Sequence, residues 1–426
     1  MNITRHVSRW VTASSMAVVV AAVLALTGCT GSSTTPSMTK THLTIWGSWS
    51  GTQISQLDQL LNAFNKSQKN ITVTYQLQQD AETKVLTATA TGDVPNLVLW
   101  DRNLTASLAP RGVLEPLTSF IKASDVDLND FETAPVDEMR VNGVQYGLPL
   151  IDDARVLFYN KKILSAAGLK PPTNWSQLEA DAKQLTVRNA AGQLSQAGMV
   201  IDPGTFTTWI QQAGGWVVNA KGTKSTVDTP AGQAVLNCWN TLLNVDKVYQ
   251  VGFGGATGNP FVEGKVAMQY DGPWDVASYN AVNGFSYGVV QPPVGPNGDK
   301  GAITGGFGLV IPKLSKDQQA SWTFMKWLTT NKEAQIELAK VAGWIPALKS
   351  AADDPYFADS PEFGPIVKTI AYARSLPVVQ GYADMEQYAL TPQLQDWMAG
   401  KISAAAALST AQSQGTTILQ NGGVSQ

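Results

Sequence analysis

The chain has 426 residues, and its 30 lysines and arginines nearly balance its 33 aspartates and glutamates, for a formal net charge of −3. Such a balance offers no basic surface for nucleic acid. With 2 cysteines and 2 histidines in the whole sequence, we expect neither a zinc site of Cys and His ligands nor a histidine-based catalytic triad.

The N-terminal residues have the parts of a secretory signal peptide. Two arginines precede an apolar stretch over 11–26, which is shorter than the roughly 20 residues that a membrane span needs. The stretch ends in LTGC, which resembles a bacterial lipobox with Cys29 as the residue that carries the lipid. We therefore expect a lipoprotein signal peptide at 1–28. The Ser/Thr-rich segment 29–41 is then a flexible tether, and the protein is extracytoplasmic, lipid-anchored to the cell membrane.

The folded body starts near residue 42, and its length favours two domains over one. HLTIWG and ITVTYQL have apolar residues at every second position, as strands do. ISQLDQLLNAF has its apolar residues on one helical face, and AETKVLTATAT predicts a helix closed by Gly92. NLVLW is a third predicted strand. Strands that alternate with helices predict a parallel sheet with crossovers.

Aromatic and polar residues follow the first and third of these strands. In parallel sheets, ligands collect beyond the carboxyl ends of the strands. We therefore predict that two groups of residues meet on one rim: Trp46, Ser48 and Trp49 in one, and Trp100, Asp101 and Arg102 in the other.

The rest of the body continues with both kinds of element. YGLPLIDDARVLFYNKKIL predicts two strands with Asp152 and Asp153 between them, either in a solvated turn or at a hinge that carries a ligand contact. NWSQLEADAKQLT predicts a helix with Asn174 as its N-cap. GKVAMQYDGPW predicts a strand followed by Trp274. SWTFMKWLTTNKEAQIELAKVAG predicts a helix broken at Gly343, and the tail is mostly helical.

The order of these parts resembles the extracellular solute-binding proteins of carbohydrate ABC importers, the group that includes maltose-binding protein. Four segments carry the resemblance: TATGDVPNLVLWD, YGLPLIDDARVLFYNKKIL, GKVAMQYDGPW and SWTFMKWLTTNKEAQIELAKVAGWIPA. The resemblance implies an α/β, two-lobed periplasmic-binding-protein-like fold of type II, with a ligand cleft between lobes joined by hinge strands.

The resemblance also implies how the chain is divided. The N-lobe is expected to combine 42–150 with 306–345, and the C-lobe 151–305 with 346–426. The hinge segments are expected near 150–153, 305–309 and 344–348.

The function implied by the resemblance is capture of a mono- or oligosaccharide and its delivery to an ABC transporter. The expected partners are the permease subunits with their cytoplasmic ATPase, while the membrane is contacted through the N-terminal lipid only. The protein is expected to be a monomer and a binding protein rather than an enzyme, without a cofactor or metal.

Sugars have apolar C–H faces that stack on aromatic rings, and hydroxyls that charged side chains bind strongly. The body holds 12 of the 13 tryptophans, several of them beside Gly or Asp. Besides the six residues after the two strands, the resemblance implies ligand contacts from Asp153, Trp209, Trp216, Asp271, Trp274, Gly306, Phe307, Trp344, Glu386 and Tyr388. We expect the buried core instead for Trp175, Trp239, Trp322, Trp327 and Cys238.

Other functions remain open at this point. Asp101, Asp153 and Asp271 could serve a glycoside hydrolase, which needs two carboxylates about 5–10 Å apart. The same fold could also bind a glycerol phosphodiester, for which Arg102 and Arg155 are available, or a polyamine through cation–π contacts. Neutral sugar ranks first among these ligands.

Overall fold

The computed structural model describes residues 40–254 and 259–424. The expected signal peptide, the expected lipidation site Cys29 and all but the end of the tether lie outside these described residues. None of the helices in the described ranges combines the length and hydropathy needed to cross a membrane.

The described chain contains fourteen short strands. They are β1 (Thr41–Gly47), β2 (Ile71–Leu77), β3 (Leu97–Asp101), β4 (Arg140–Val141), β5 (Val144–Gln145), β6 (Gly147–Ala154), β7 (Val156–Asn160), β8 (Val187–Arg188), β9 (Leu194–Gln196), β10 (Met268–Asp271), β11 (Tyr287–Val290), β12 (Ile303–Val310), β13 (Ile345–Pro346) and β14 (Arg374–Ser375).

Helices connect and cover these strands. They are α1 (Thr52–Ser67), α2 (Ala81–Thr91), α3 (Thr105–Leu108), α4 (Thr118–Ala123), α5 (Thr133–Glu138), α6 (Lys161–Ala166), α7 (Trp175–Gln184), α8 (Phe206–Gln212), α9 (Pro230–Asn240), α10 (Val276–Asn280), α11 (Gln318–Thr330), α12 (Lys332–Ala342), α13 (Lys349–Ala352), α14 (Pro355–Ala358), α15 (Gly364–Ile370), α16 (Tyr382–Asp384), α17 (Thr391–Met398) and α18 (Ala404–Asn421). Two π-helical segments, Thr241–Val245 and Met385–Leu390, extend α9 and α16.

The larger sheet has the strand order β13-β6-β12-β3-β1-β2, with β14 paired to β12. β1 is parallel to both β2 and β3, as the alternation of strands and helices predicts. β12 then joins antiparallel to β3 and to β6. Alternate residues of β1, Leu43 and Ile45, pack with Leu57, Leu61 and Phe64 of α1 in one core, which matches the predicted apolar face.

The smaller sheet has the order β10-β7-β11, and both pairings are antiparallel. A second core packs around it and under α7, α8 and α9. Trp175, Trp239 and Cys238 are buried there, as predicted. Burial raises the pKa of the Cys238 thiol well above its ordinary value, as expected for a thiol that acts as a small apolar side chain.

Three strands link these regions. β6, β12 and β13 are neighbours in the larger sheet. β6 and β12 contain the first two segments expected to form the hinge, and β13 lies within the third. β6 ends at Ala154 and β7 begins at Val156, so Arg155 alone separates a strand of one sheet from a strand of the other.

The structure corrects two local details. Asp152 and Asp153 do not lie in a turn, the first of the two interpretations: they belong to β6, because their backbone pairs with Gly306 and Gly305 of β12. The helix pattern after residue 317 ends at Gly343 as predicted, but it is also divided at Asn331, whose side chain accepts a 2.8 Å hydrogen bond from the N–H of Ala334 and begins α12.

Candidate functional site

Arg102 lies at the centre of the crossing strands. Its guanidinium donates to Glu138 at 2.9 Å and to Asp152 at 2.7 Å. It also donates to the carbonyl oxygens of Ile151 at 2.6 Å and of Gly305. These acceptors belong to α5, β6 and β12, so one side chain joins three elements that are distant in sequence.

The Arg102 cluster, which consists of Arg102, Glu138 and Asp152, is completely buried. Burial opposes the charge of Arg102, but the neighbouring carboxylates raise the pKa of its guanidinium. Burial also raises the pKa of Glu138 to about 7 and that of Asp152 to about 8, although Arg102 lowers both. The cluster therefore holds a permanent cation and two acids that take up protons near neutral pH.

Arg102 was expected to contact the ligand, and here the structure corrects the prediction. The residue is 0% exposed, and protein acceptors surround its guanidinium. Gly306, another expected contact, is buried against it: a Cβ there would lie 2.6 Å from Arg102 Nη1 and 2.2 Å from the oxygen of Ile151. The φ of Gly306 is +128°, so this position suits glycine in both space and backbone conformation.

Two expected contacts are core residues in this structure. Trp100 is 2% exposed and packs among Val98, Leu108 and Met139. Trp209 is 0% exposed, and its ring contacts those of Trp175, Trp239 and Tyr270. Neither indole offers a face to a ligand. Trp322 lies in the core as predicted.

Four other expected contacts form an aromatic row. Phe307 and Trp274 are half-buried, whereas Trp49, at 2% exposure, is as enclosed as Trp100 and belongs with Trp344 to the core of the larger sheet. Trp49 meets Phe307 with ring centroids 5.4 Å apart, Phe307 meets Trp344 at 5.5 Å, and Trp344 meets Trp274 at 5.8 Å. Trp274 follows β10 of the smaller sheet, yet it packs against the core of the larger sheet. The aromatic row therefore extends across both sheets beside the crossing strands.

The end of the aromatic row is held by a tight turn. Asp271 accepts hydrogen bonds from the side chains of Gln269 and Tyr279 and from the N–H of Gly272. Burial raises the pKa of Asp271 to about 6. A Cβ on Gly272 would lie 2.1 Å from the Trp274 ring. Asp271 thus holds the turn that precedes Trp274, and its own oxygens are occupied by the protein.

Residues at the strand ends lie at the margin of this region. Asp101 is exposed at the end of β3, directly opposite Phe307 of β12. Ser48 is exposed. Trp46 is half-buried, and its indole N–H donates to Gln76 at 3.0 Å. The two predicted strand-end groups therefore meet through Trp49 and Phe307 rather than through Trp46 and Trp100.

A polar cavity of about 440 Å³ lies beside the crossing strands. Arg155, Thr207, Thr208 and Glu386 line it, with Gln387 among the other lining residues. Burial raises the pKa of Glu386, and Arg155 lowers it. Tyr388, two residues after Glu386, is 54% exposed.

Arg155 connects this cavity to the aromatic row. Its guanidinium carbon lies 5.4 Å from the centre of the Trp274 ring, within the range of a cation–π contact. Burial raises the pKa of Asp153, and the charge of Arg155 lowers it. Asp153 also accepts a 3.2 Å hydrogen bond from the N–H of Gly305.

Trp216 lies in a separate groove of about 790 Å³, between α5 and the segment 370–379. The guanidinium of Arg374 is 3.8 Å from the centre of its ring. Leu376 lines both this groove and the polar cavity. Trp216 therefore lies next to the polar cavity, and the guanidinium of Arg374 stacks on its ring.

Sequence reasoning missed Thr207 and Thr208 and did not place Arg155 in the site. The threonines sit in a helix whose sequence, TFTTWIQQ, resembles ordinary core packing. Arg155 had one available signal, since it lies two residues after the acidic pair that was singled out, with only Ala154 between them.

The side chains of this region have the chemistry needed for non-covalent recognition. Aromatic rings can stack against apolar faces, while a guanidinium and carboxylates can bind hydroxyls. Within the described ranges, no cluster of His, Cys, Asp and Glu side chains has a geometry that could hold a metal ion.

Comparison with known proteins agrees with this geometry. The family described as bacterial extracellular solute-binding protein matches residues 59–365. The maltotriose-binding protein of Pyrococcus abyssi (strain GE5 / Orsay) is 24% identical over 343 residues, which cover 78% of this chain and 72% of that protein. The maltooligosaccharide ABC transporter solute-binding lipoprotein of Streptococcus pneumoniae (strain ATCC BAA-255 / R6) is 27% identical over 255 residues, or 58% of each chain.

Among solved structures, CpMnBP1 with mannotriose bound matches with a TM-score of 0.77 and 27% identity, covering 88% of this chain and 100% of that one. The α/β, two-lobed fold expected from the resemblance is therefore confirmed. Because the family match spans well over half of the sequence, the chain belongs to the family of bacterial extracellular solute-binding proteins.

Proposed function

We propose that this protein captures a sugar beside the crossing strands and delivers it to an ABC importer. The aromatic row carries this proposal, because four rings from both sheets lead to a polar cavity lined by Arg155 and Glu386. Stacking rings next to charged hydrogen-bonding groups are what a sugar's two kinds of surface require. The relatives named for maltotriose and maltooligosaccharide, and the mannotriose-bound structure, support the same ligand class.

The unused indole donor of Trp344 supports a ligand at this place. Its Nε1 is buried, and no described residue accepts its hydrogen bond. A buried donor without an acceptor costs free energy. A sugar hydroxyl above the aromatic row could supply the acceptor, with Asp101 at the nearby strand end as a partner for another hydroxyl.

The proposed lobes follow the sheets. We assign 42–150 with 306–345 to the N-lobe and 151–305 with 346–426 to the C-lobe. The two main boundaries fall within β6 and β12, strands that pass between the two cores. Rotation about these strands would close the lobes over the sugar.

The proposed setting is the outer face of the cell membrane. Membership of an extracellular family and the lipoprotein name of the Streptococcus pneumoniae relative support a lipid anchor at Cys29, with palmitate among its acyl chains. A monomer with closed lobes would dock on the permease subunits, which work with a cytoplasmic ATPase.

We propose binding without catalysis, because the relatives are binding proteins. The oxygens of Asp271 are bonded within the protein, which weakens the case for this residue as a hydrolytic carboxylate. Arg102 is likewise occupied, which weakens the case for a phosphate site built on two arginines.

Thermal-shift measurements with maltotriose, mannotriose and shorter sugars test the proposal, because a ligand that binds only the native state raises the melting temperature. We expect at least one neutral oligosaccharide to raise it in a concentration-dependent way. Analysis of the same mixtures for released monosaccharide should find none. The sugar proposal fails if no carbohydrate shifts the melting temperature while glycerophosphocholine or spermidine does.

A further inference from the structure

Arg155 is held at the junction of the two sheets by its backbone. It is the single residue between β6 and β7, and its N–H donates to the oxygen of Ile303 on β12 at 3.4 Å. Ile303 itself lines the polar cavity. The position of the Arg155 backbone is therefore fixed by both β6 and β12.

The donors of the Arg155 guanidinium are not used by the protein. Within the part of the chain that the structure describes, no side-chain hydrogen bond or ion pair of Arg155 occurs, in contrast to the many bonds of Arg102. Its ring contact with Trp274 involves the face of the guanidinium and leaves the N–H groups at the edge. A guanidinium carries five such donors, and here they border a cavity.

A buried hydroxyl lines the same cavity. Thr208 is 1% exposed, and its Oγ1 has no hydrogen-bond partner among the described residues. In a helix, a threonine hydroxyl usually bonds to a preceding carbonyl, and buried polar atoms usually have a partner. An unpaired hydroxyl and unpaired guanidinium donors around one cavity indicate a ligand rich in oxygen.

The charges around Arg155 narrow the class of ligand. Asp153 and Glu386 are close enough for Arg155 to lower the pKa of both. Two carboxylates would repel an anionic sugar. The positive charge of Arg155, 5.4 Å from the centre of the Trp274 ring, opposes a cationic amine at the same ring. A neutral group that both donates and accepts hydrogen bonds fits all these charges.

We propose that Arg155 is a specificity-determining residue, which donates to hydroxyls of a neutral sugar while Glu386 accepts from them and Thr208 adds a third contact. This inference rests on the proposed function and assigns the ligand class of the same site. Arg102, by contrast, has a structural role, because its guanidinium is buried and bonded to protein acceptors.

The test measures binding of four trisaccharides by calorimetry: neutral maltotriose and mannotriose, anionic trigalacturonate and cationic triglucosamine. We expect the wild type to bind a neutral one most tightly. Arg155→Met should raise its Kd by at least ~10-fold, since a charge-assisted hydrogen bond contributes about 1.5–3 kcal/mol. Arg155→Lys keeps the positive charge but loses the planar guanidinium. Its Kd should lie between that of the wild type and that of Arg155→Met.

Thr208→Val separates a ligand role from a structural one. Valine has nearly the shape of threonine, so removing an unpaired hydroxyl should leave the melting temperature unchanged or higher, while the Kd for the neutral sugar rises at least ~3-fold. Arg140→Met is the matched control for the arginine change, because Arg140 pairs with Asp137 on an exposed surface; its Kd should equal that of the wild type.

The outcomes are distinct. If the wild type binds a neutral trisaccharide and Arg155→Met binds it equally well, the inference is wrong and the proposed function stands. Tighter binding of trigalacturonate or triglucosamine than of both neutral sugars would overturn the neutral class. If the wild type binds no carbohydrate at all, the proposed function fails and takes this inference with it. Should Arg155→Met not fold, Arg155→Lys and Thr208→Val decide.

Discussion

Replacing Arg102 with methionine would remove the guanidinium of a completely buried cluster while keeping a long, flexible side chain. Glu138 and Asp152 would then face each other without their shared cation, and the carbonyl oxygen of Ile151 would lose its donor. We expect a large loss in the free energy of unfolding, because removing one partner leaves buried charges uncompensated.

The size of the loss follows from the bonds that disappear. Arg102 makes two charge-assisted hydrogen bonds, at 2.9 Å to Glu138 and at 2.7 Å to Asp152. At about 1.5–3 kcal/mol each, these bonds sum to roughly 3–6 kcal/mol. Breaking a buried ion pair costs about 3–5 kcal/mol in other proteins. We therefore expect a loss of about 4 kcal/mol at pH 8.

The loss should depend on pH in a definite direction. Without Arg102, nothing in the cluster favours the ionised forms of Glu138 and Asp152, whose pKa values burial already raises. At pH 5 both acids take up protons in the folded state, so the uncompensated charge disappears. Arg102→Met should therefore be less destabilising at pH 5 than at pH 8.

Urea unfolding followed by tryptophan fluorescence measures both effects, at one salt concentration and at the two pH values. Arg140→Met is the control, since Arg140 and Asp137 form a 2.7 Å ion pair with side chains 38% and 50% exposed. That exposed pair should contribute less than ~1 kcal/mol at either pH. A loss for Arg102→Met below ~1 kcal/mol at pH 8, or equal losses at both pH values, would refute the role given to the Arg102 cluster.

Three further predictions follow from the same structure. The wild type should be more stable at pH 5 than at pH 8, because the pKa of Glu138 is about 7 in the folded state but 4.5 when unfolded. This pKa shift alone is worth ~3 kcal/mol of unfolding free energy. In the same urea assay, Glu138→Gln should reduce the dependence of that free energy on pH. Gly306→Ala should cost at least ~2 kcal/mol, because it combines a positive φ with a clash, and an unchanged urea midpoint would contradict this. Trp274→Ala should raise the Kd of a bound neutral sugar by an order of magnitude with little loss of stability. Trp209→Ala, in contrast, should cost about 3–5 kcal/mol of stability. The reverse pattern would show that the two tryptophans have been assigned the wrong roles.

The family and the order of its parts were readable from the sequence because local signals are strong there. The side chain of Asn174 accepts from the N–H of Gln177 at 3.0 Å and starts α7, and Gly92 closes α2 with a φ of 77°. These caps depend on residues within one helical turn. The alternation of Leu43 and Ile45 similarly predicts β1, since each residue points to a definite face.

The roles of individual tryptophans were not readable in this way. Trp49, Trp100, Trp209 and Trp274 all stand at the ends of strands or within short helices, and each was an expected ligand contact. Trp274 is half-buried at the end of the aromatic row, whereas Trp49, Trp100 and Trp209 are enclosed by the cores. Which ring is enclosed depends on side chains that arrive from distant elements, and no local pattern contains them.

The sequence by itself determined where the strands and helices begin, which segments form the parallel part of the larger sheet, and which family the chain resembles, because each of these depends on short-range periodicity and on the order of segments. Only the tertiary structure decided where the two arginines lie and what surrounds them. The partners of Arg102 lie 36 to 205 residues away along the chain, and they enclose it completely. Arg155 follows an acidic pair that looked like a turn, but strand pairing continues through that pair and brings Arg155 to the polar cavity.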